Sequence, residues 1–154
     1  MASWQCDKTF QCRTPEEVPV LAALIAGYFP DPKRAMPGIV ELLMNAIEHG
    51  NLGLDFNTKR ELLLNGGWGQ EIQRRLKMPV HKDRQVKVRL VRDTHHVRLE
   101  VMDEGNGFDW KTFLTRKALD AGPNGRGLML ARKLSFDDLE FSDKGNNVMA
   151  TVIL

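Results

Sequence analysis

Two runs of alternating apolar and polar residues constrain the fold of this chain most strongly. Residues 86–90 read Val-Lys-Val-Arg-Leu, and residues 97–101 read Val-Arg-Leu-Glu-Val. A period of two places every apolar side chain on the same face of a β-strand. The polar link between the runs, residues 92–95, suits a hairpin turn. The sequence therefore predicts an antiparallel hairpin with one buried face and one solvated face.

Helical patterns precede this hairpin. A helix is expected to start at Thr14, because a threonine followed three residues later by a glutamate, here Glu17, forms a capping box. This helix should stop near residues 30–32, where two prolines flank an aspartate. A second helix is predicted over residues 37–49, with Gly50 as the left-handed residue that ends it.

Strands are also predicted near both ends of the chain. Helices combined with a largely antiparallel sheet indicate an α+β fold. The terminal strands are predicted at residues 3–13, 138–142 and 148–154, and further helices at residues 110–119 and 127–134.

The chain has 154 residues, which argues for a single domain over residues 1–154. The least regular part, residues 53–82, is interpreted as a helical insertion or flap within that domain. Residues 58–64 and 70–77 look helical, and a glycine-rich link with Trp68 separates them. Trp68 either packs the flap down or contacts a partner.

Composition excludes several classes of protein. Hydrophobic residues make up 42% of the chain, which is enough for a packed core and excludes whole-chain disorder. A net charge of +2 does not favour a nucleic-acid partner or a polybasic membrane anchor. No apolar run approaches the roughly 18 residues of a membrane span, and the N-terminus lacks a signal-peptide layout. Cys6 and Cys12 cannot build a disulfide framework, so a reducing cytoplasm is expected.

The predicted second helix carries a polar stripe opposite its apolar face. Glu41, Asn45 and Glu48 are spaced four and three residues apart. Their oxygens suit Mg²⁺ that also binds phosphate, and a carboxylate there can act as a general base. A solvated helix face is the plain alternative, but the stripe lacks Lys and Arg. His49, beside the stripe, lies either near a phosphate or at the helix C-terminal dipole.

A second candidate follows the second hairpin strand. Counting by twos from Val101 places Asp103 on the apolar side of its strand, where a carboxylate needs a donor. A nucleobase amino group would serve, as would local backbone amides in a turn. An EF-hand calcium loop does not fit, because Phe108 stands at the sixth position, where that loop needs glycine.

A glycine-bearing segment, residues 122–130, leads into a predicted helix. Such an entry exposes backbone N–H groups at the positive end of the helix, which favours phosphate. It is not a P-loop, because the chain contains no Gly-Lys-Ser/Thr, and it lacks the G-x-G-x-x-G spacing. Together with the polar stripe and Asp103, it predicts a nucleotide site built without a P-loop.

These motifs resemble those of the GHKL ATPases, the superfamily of gyrase, heat-shock chaperone, histidine kinase and mismatch-repair proteins. Their order and spacing match over residues 37–154. Within the superfamily, the Ile-Glu-His-Gly-Asn segment at residues 47–51 and the short length most resemble the bacterial anti-sigma-factor serine/threonine kinases. The segments that resemble the helix motif, the D-x-G-x-G box, the second glycine box and a weakened final box are residues 41–46, 103–107, 125–128 and 145–148.

The resemblance implies a two-layer α/β sandwich, with helices on one face of a mixed, mostly antiparallel sheet. ATP would lie between the helices and a closing loop. By matched position, Glu41 would be the general base and Asn45 the Mg²⁺ ligand. Asp103 would accept a hydrogen bond from the adenine amino group, and Gly105 and Gly107 would let the base approach the backbone.

The second glycine box supplies the lid in this comparison. Gly125, Arg126 and Gly127 would belong to the mobile lid over the phosphates, and Leu128 to the same nucleotide-binding box. Arg126 would stabilise charge on the transferred phosphoryl group.

The function implied is that of a protein serine/threonine kinase. It would use ATP as the phosphate donor, with Mg²⁺, and would produce ADP. It would phosphorylate a Ser or Thr of an anti-anti-sigma-like partner, bind a sigma factor and regulate by partner switching. The resemblance also suggests a homodimer face at residues 3–29, and the alternative is that this segment only completes the sheet. The alternatives are a non-catalytic nucleotide-binding regulatory module, or the ATPase domain of a larger sensor or phosphatase protein.

Overall fold

A computed structural model describes residues 5–107 and 134–154 of the chain. The helix predicted at residues 110–119 lies outside these ranges, as does all but the last residue of the helix predicted at residues 127–134. The described strands form one sheet in the order β1-β2-β3-β5-β4, and each of their pairings is antiparallel. The strands are β1 (Cys6–Cys12), β2 (Val86–Arg92), β3 (His96–Met102), β4 (Asp138–Phe141) and β5 (Asn147–Ile153).

Four α-helices stand between β1 and β2. The first follows a short 3₁₀ turn, Pro15–Glu17, and the predicted capping box between Thr14 and Glu17 is present. The second continues into a π-helical turn, Ala46–Asn51. Among the described residues, no helix is both long enough and apolar enough to cross a membrane. The helices are α1 (Val18–Ala26), α2 (Pro32–Asn45), α3 (Phe56–Asn65) and α4 (Trp68–Leu76).

The predicted hairpin is confirmed as β2 and β3. Leu90 pairs with Leu99 in the antiparallel register, and both side chains are buried. In the turn, Asp93 N–H donates to the His96 carbonyl at 3.0 Å, and the Asp93 carboxylate accepts from the backbone amides of His95 and His96. The alternation therefore places one face of the sheet in the core, as the sequence indicates.

One apolar core joins that face of the sheet to α1, α2, the π turn and α4. The opposite face carries charged side chains such as Arg89 and Arg98, which are exposed. The helices thus cover one face in a two-layer arrangement, and the predicted α+β class is confirmed. The largest fully buried apolar side chains include Ile25, Ile39, Leu42, Leu43, Ile47, Leu90 and Leu99.

The second helix begins at Pro32, earlier than the predicted residue 37. The Asp31 carboxylate caps it by accepting from the backbone N–H of Arg34 at 3.2 Å, and Pro32 occupies the first turn, where no backbone donor is needed. The Asp-Pro pair therefore begins the second helix as well as following the end of the first. Pro37 lies inside the helix, where it removes one backbone hydrogen bond.

The prediction for Gly50 is wrong. Gly50 lies inside the π turn, and the left-handed glycine that follows is Gly53, with φ of 65°. A π turn adds one residue to the ordinary helical turn, so the chain reverses later than a regular helix would.

Residues 53–82 contain two helices, as predicted, but they attach differently to the rest of the fold. In α4, Ile72 and Leu76 are buried in the core, whereas α3 has no fully buried residue among those described. Trp68 packs against the core from the start of α4, and the Lys59 ammonium of α3 lies 5.1 Å from the centre of its ring. We call α3 and α4 together the flap.

Candidate functional site

A cleft lies between the α2–π-turn segment and the ends of β3 and β5. The cleft brings together segments that are far apart in the sequence, including the predicted site residues Asn45, Asp103 and Gly107 and the final box. The lining residues are Leu42, Asn45, Ala46, His49, Gly50, Phe56, Val101, Asp103, Gly107, Phe141, Gly145, Asn146, Asn147 and Val148.

Asp103 lies where the alternation of β3 predicts, on the side of the buried residues. Its backbone N–H donates to the Asn146 carbonyl at 3.0 Å, and its Oδ1 accepts from the Gly105 N–H at 2.8 Å. Burial raises the pKa of the Asp103 carboxyl to about 6, against the opposing effects of the Gly105 bond, Arg84 and Lys144. The carboxylate is therefore mainly ionised at neutral pH and able to accept from a ligand.

Three glycines allow the backbone to pack closely around Asp103. A Cβ on Gly50 would lie 2.3 Å from Asp103 Cγ, and one on Gly105 would lie 2.2 Å from the Gly50 carbonyl oxygen. Gly107 has φ of 83°, and a Cβ there would lie 1.7 Å from the Lys144 carbonyl oxygen. At each of these glycines, the position of a side chain is occupied by another atom of the protein.

Asn51 hydrogen-bonds to the loop that follows β3 and contains Asp103. The sequence did not predict a role for this residue. Its side chain is 3% exposed, and Oδ1 accepts from the Glu104 N–H at 2.7 Å. Its backbone carbonyl accepts from Arg84 Nη1 at 2.8 Å, which ties the π turn to the start of β2. In the sequence, Asn51 is only an asparagine in a short polar run after a helix. Such asparagines are common in loops, so the pattern alone does not indicate this role.

Glu41 and Asn45 lie one turn apart on α2, as the spacing predicts. Asn45 Nδ2 donates to Glu41 Oε1 at 2.8 Å, and both side chains are half-buried. The bond commits the amide nitrogen to the carboxylate and leaves the amide oxygen for another partner. Asn45 lines the cleft, and the Glu41 carboxylate is bonded to it.

Glu48 does not lie on the same polar stripe as Glu41 and Asn45, so this part of the prediction is wrong. It is 2% exposed, and Lys59 Nζ of α3 lies 2.6 Å from its Oε2. Burial raises the pKa of the Glu48 carboxyl, and the nearby Glu41 charge raises it further, while Lys59 opposes both effects. The ion pair therefore fastens the flap to the π turn beside the cleft.

The ring of His49 is fixed by two neighbours. Nδ1 hydrogen-bonds to the Leu54 carbonyl, and the ring stacks on Phe56 of α3 with centroids 4.0 Å apart. Burial lowers the pKa of His49 to about 4, so the imidazole is neutral at pH 7. A neutral ring gives no charge for the predicted interaction with the helix C-terminal dipole, and its one N–H is used by Leu54 and not offered to a phosphate.

The remaining predicted residues, Gly125, Arg126, Gly127 and Leu128, lie outside the described residues. Within residues 5–107 and 134–154, no group of three or more His, Cys, Asp or Glu side chains could hold a metal ion. A cation at this cleft would thus take few ligands from the described part of the protein. The Asn45 amide oxygen fits that requirement, since Mg²⁺ commonly keeps waters and takes phosphate oxygens alongside one or two protein ligands.

Comparison with known proteins gives one family. Residues 77–152, just under half of the chain, match the model of the histidine kinase-like ATPase domain. No curated protein matches the chain significantly. The matched region contains β2 to β4, all of β5 except Ile153, and Gly105. It also contains Asp103, Gly107 and the final box, which line one side of the cleft. Fold, cleft and family match together support a GHKL-type, histidine kinase-like ATPase module that binds ATP.

Proposed function

We propose that the protein is an ATP-dependent protein serine/threonine kinase of the anti-sigma-factor type. The observation that carries this proposal is the 2.8 Å hydrogen bond from Asn45 Nδ2 to Glu41 Oε1, since Asn45 lines the cleft that also contains Asp103. It sets a carboxylate directly behind an amide oxygen that a nucleotide in the cleft would meet. Phosphoryl transfer requires chiefly positioning and charge stabilisation, which such a pair can supply.

Asp103 is the residue proposed to recognise the base. Its carboxylate is held on the apolar side of β3, packed against Gly50 and bonded to the Gly105 N–H. A buried acceptor that is ionised at pH 7 favours a ligand with an N–H donor, and the adenine amino group provides one. Apolar lining residues such as Leu42, Val101 and Val148 would contact the faces and edges of the base.

Asn45 and Glu41 are proposed to act at the phosphate end of the nucleotide, where the transfer takes place. The Asn45 amide oxygen would hold Mg²⁺, which when bound would neutralise charge on the phosphates. Glu41 would accept the proton of the attacking hydroxyl, and the Asn45 N–H keeps its carboxylate in a fixed orientation. Arg126 and the neighbouring glycine box would complete the site, as the resemblance suggests.

The proposed acceptor is a Ser or Thr of an anti-anti-sigma-like protein, with a sigma factor as the competing partner. Support comes from the resemblance of residues 47–51 to the anti-sigma-factor kinases. A cytoplasmic location and a homodimer through residues 3–29 complete the proposal. The rival is a non-catalytic module in which the nucleotide state alone switches a protein interface.

Nucleotide binding is the first test. Calorimetric titration of the wild type with ATP and with ADP, with and without Mg²⁺, should show binding that Mg²⁺ strengthens. Asp103→Ala removes a charged acceptor and should weaken binding roughly 10- to 100-fold. Glu140→Ala on β4, an exposed position, is the control and should bind as the wild type does. Unchanged affinity in Asp103→Ala would refute the adenine role.

Phosphate transfer separates the kinase from the binding module. With radiolabelled ATP and a purified anti-anti-sigma protein, Glu41→Ala should retain ATP binding but lower the transfer rate about 100- to 10,000-fold, the range for loss of a general base. If the wild type binds ATP and exchanges partners but transfers no phosphate, the non-catalytic module is the correct function.

A further inference from the structure

The ring of His49 has a defined tautomer. Its Nδ1 faces the Leu54 carbonyl oxygen, which can only accept, so Nδ1 carries the proton. The other nitrogen, Nε2, therefore presents a lone pair and acts as an acceptor. Stacking on Phe56, with the two rings 25° from parallel, keeps the ring from turning.

This acceptor is buried and has no hydrogen-bond partner among residues 5–107 and 134–154. Buried polar atoms in proteins are nearly always paired, so an unpaired one on a residue that lines a cleft points to a ligand donor. His49 lines the cleft, and the next residue, Gly50, packs directly against the Asp103 carboxylate. Two acceptors from distant parts of the sequence thus line the same cleft, and Gly50 lies between them.

The chemistry of the two acceptors restricts which part of a nucleotide can lie there. Phosphate oxygens are themselves acceptors, and a neutral imidazole lone pair repels them. The donors of a nucleotide belong to its nucleoside half: the exocyclic amino group of the base and the ribose hydroxyls. The acceptor therefore fits the nucleoside and not the phosphates.

We propose that His49 Nε2 accepts a hydrogen bond from the nucleoside half of the bound nucleotide and, with Asp103, determines which nucleotide the cleft accepts. This inference rests on the proposed function, because it requires that a nucleotide occupies the cleft. His49 is then a binding residue of the site, held in place by Leu54 and Phe56.

Nitrogen NMR of histidine-labelled wild-type protein tests the proposal without changing the residue. The free protein should show His49 Nε2 as an unprotonated nitrogen without a donor. Saturating ADP should move that resonance toward the hydrogen-bonded range, while His95, in the β2–β3 turn, should not move. If ADP binds and Nε2 stays in place, or if Nε2 is already hydrogen-bonded in the free protein, this inference is wrong and the proposed function stands. If no nucleotide binds, both are wrong.

Affinity measurements identify the donor. His49→Asn keeps a short donor for the Leu54 carbonyl but removes Nε2, and should weaken ATP binding roughly 3- to 10-fold, the effect of one lost hydrogen bond. His49→Gln places an amide near the Nε2 position and should recover part of that loss. Both variants are compared for ATP, its 6-deamino analogue, and its 2′-deoxy and 3′-deoxy analogues.

The analogue that lacks the relevant donor should bind the wild type and His49→Asn equally, because neither complex then contains the hydrogen bond. The 6-deamino analogue would identify the base amino group, and a deoxy analogue the ribose hydroxyl. If His49→Asn weakens the binding of all four ligands by the same factor, His49 contacts no nucleoside donor and the inference is overturned.

Discussion

At the scale of single residues, close backbone packing explains the glycines better than turn chemistry does. Gly50, Gly105 and Gly107 each make room for another part of the protein, and of these three only Gly107 has a positive φ. The Asp103 loop therefore depends on contacts between segments that are about fifty residues apart. A sequence reveals that a glycine is present, but the atom that fills its space is set by tertiary structure.

Gly50→Ala tests this packing. Its Cβ would lie 2.3 Å from Asp103 Cγ, so the carboxylate or the π turn must move. Overpacking of this kind typically costs about 1–3 kcal/mol, and we expect ATP affinity to fall as well because Asp103 is displaced. The checks are urea unfolding and calorimetric titration with ATP.

Gly69→Ala is the matched control for that substitution. A Cβ at Gly69, in α4, meets no atom within 4 Å, so the alanine should be neutral or should stabilise the helix. If Gly50→Ala is as stable and binds ATP as well as Gly69→Ala, the close contact with Asp103 has no energetic importance.

At the scale of elements, the hairpin and the helix starts could be predicted, because alternation and capping act within one segment. The prediction failed where two segments meet. Helical spacing placed Glu48 with Glu41 and Asn45, but the π turn and Lys59 from α3 draw Glu48 into the interior. Periodicity within α2 carries no information on an ion pair with a residue eleven positions further along the chain.

The Lys59–Glu48 ion pair should contribute to the stability of the flap attachment. Lys59→Met leaves a buried carboxylate without its cation, which typically costs about 3 kcal/mol of unfolding free energy. Glu48→Gln combined with Lys59→Met should recover much of that loss, because the buried charge is then absent. Urea unfolding of both variants measures the difference.

Arg89→Ala breaks the Arg89–Asp7 pair on the solvated face of the sheet and is the control, with little change expected. Protease digestion gives a second readout, since Lys59→Met should expose the link between α3 and α4 to cleavage sooner than Arg89→Ala does. Equal stability and equal cleavage rates for Lys59→Met and Arg89→Ala would show that the pair does not hold the flap.

At the scale of the whole molecule, the α+β class followed from the sequence, since it depends on local patterns and on the order of helices and strands. The shape of the cleft did not follow. It depends on the π turn and on the approach of the Lys144 carbonyl to Gly107, which bring the final box alongside Asp103. The same burial perturbs two titratable groups of the cleft in ways that affect the stability of the whole chain.

The two groups have opposite effects on stability in acid. Burial lowers the pKa of His49 from 6.5 to about 4, so the unfolded chain binds a proton that the folded chain does not, and stability falls as pH falls from 6.5 to 4. Burial raises the pKa of Asp103 from 3.8 to about 6, so here the folded chain binds the extra proton, and stability rises as pH falls from 6 to 4. In wild type the two contributions largely cancel.

Asp103→Asn removes one contribution and leaves the other. Between pH 6 and pH 4 this variant should lose stability faster than the wild type, by at most about 1.4 kcal/mol per pH unit, because one proton is involved. Unfolding by urea at half-unit pH intervals measures the difference, and contributions of all other carboxylates cancel in it. Parallel stability curves for the two proteins from pH 7 to pH 4 would mean that Asp103 titrates normally, as an exposed carboxylate does. The tight enclosure of Asp103 by the π turn would then be wrong, because an ordinary pKa requires solvent at the carboxylate.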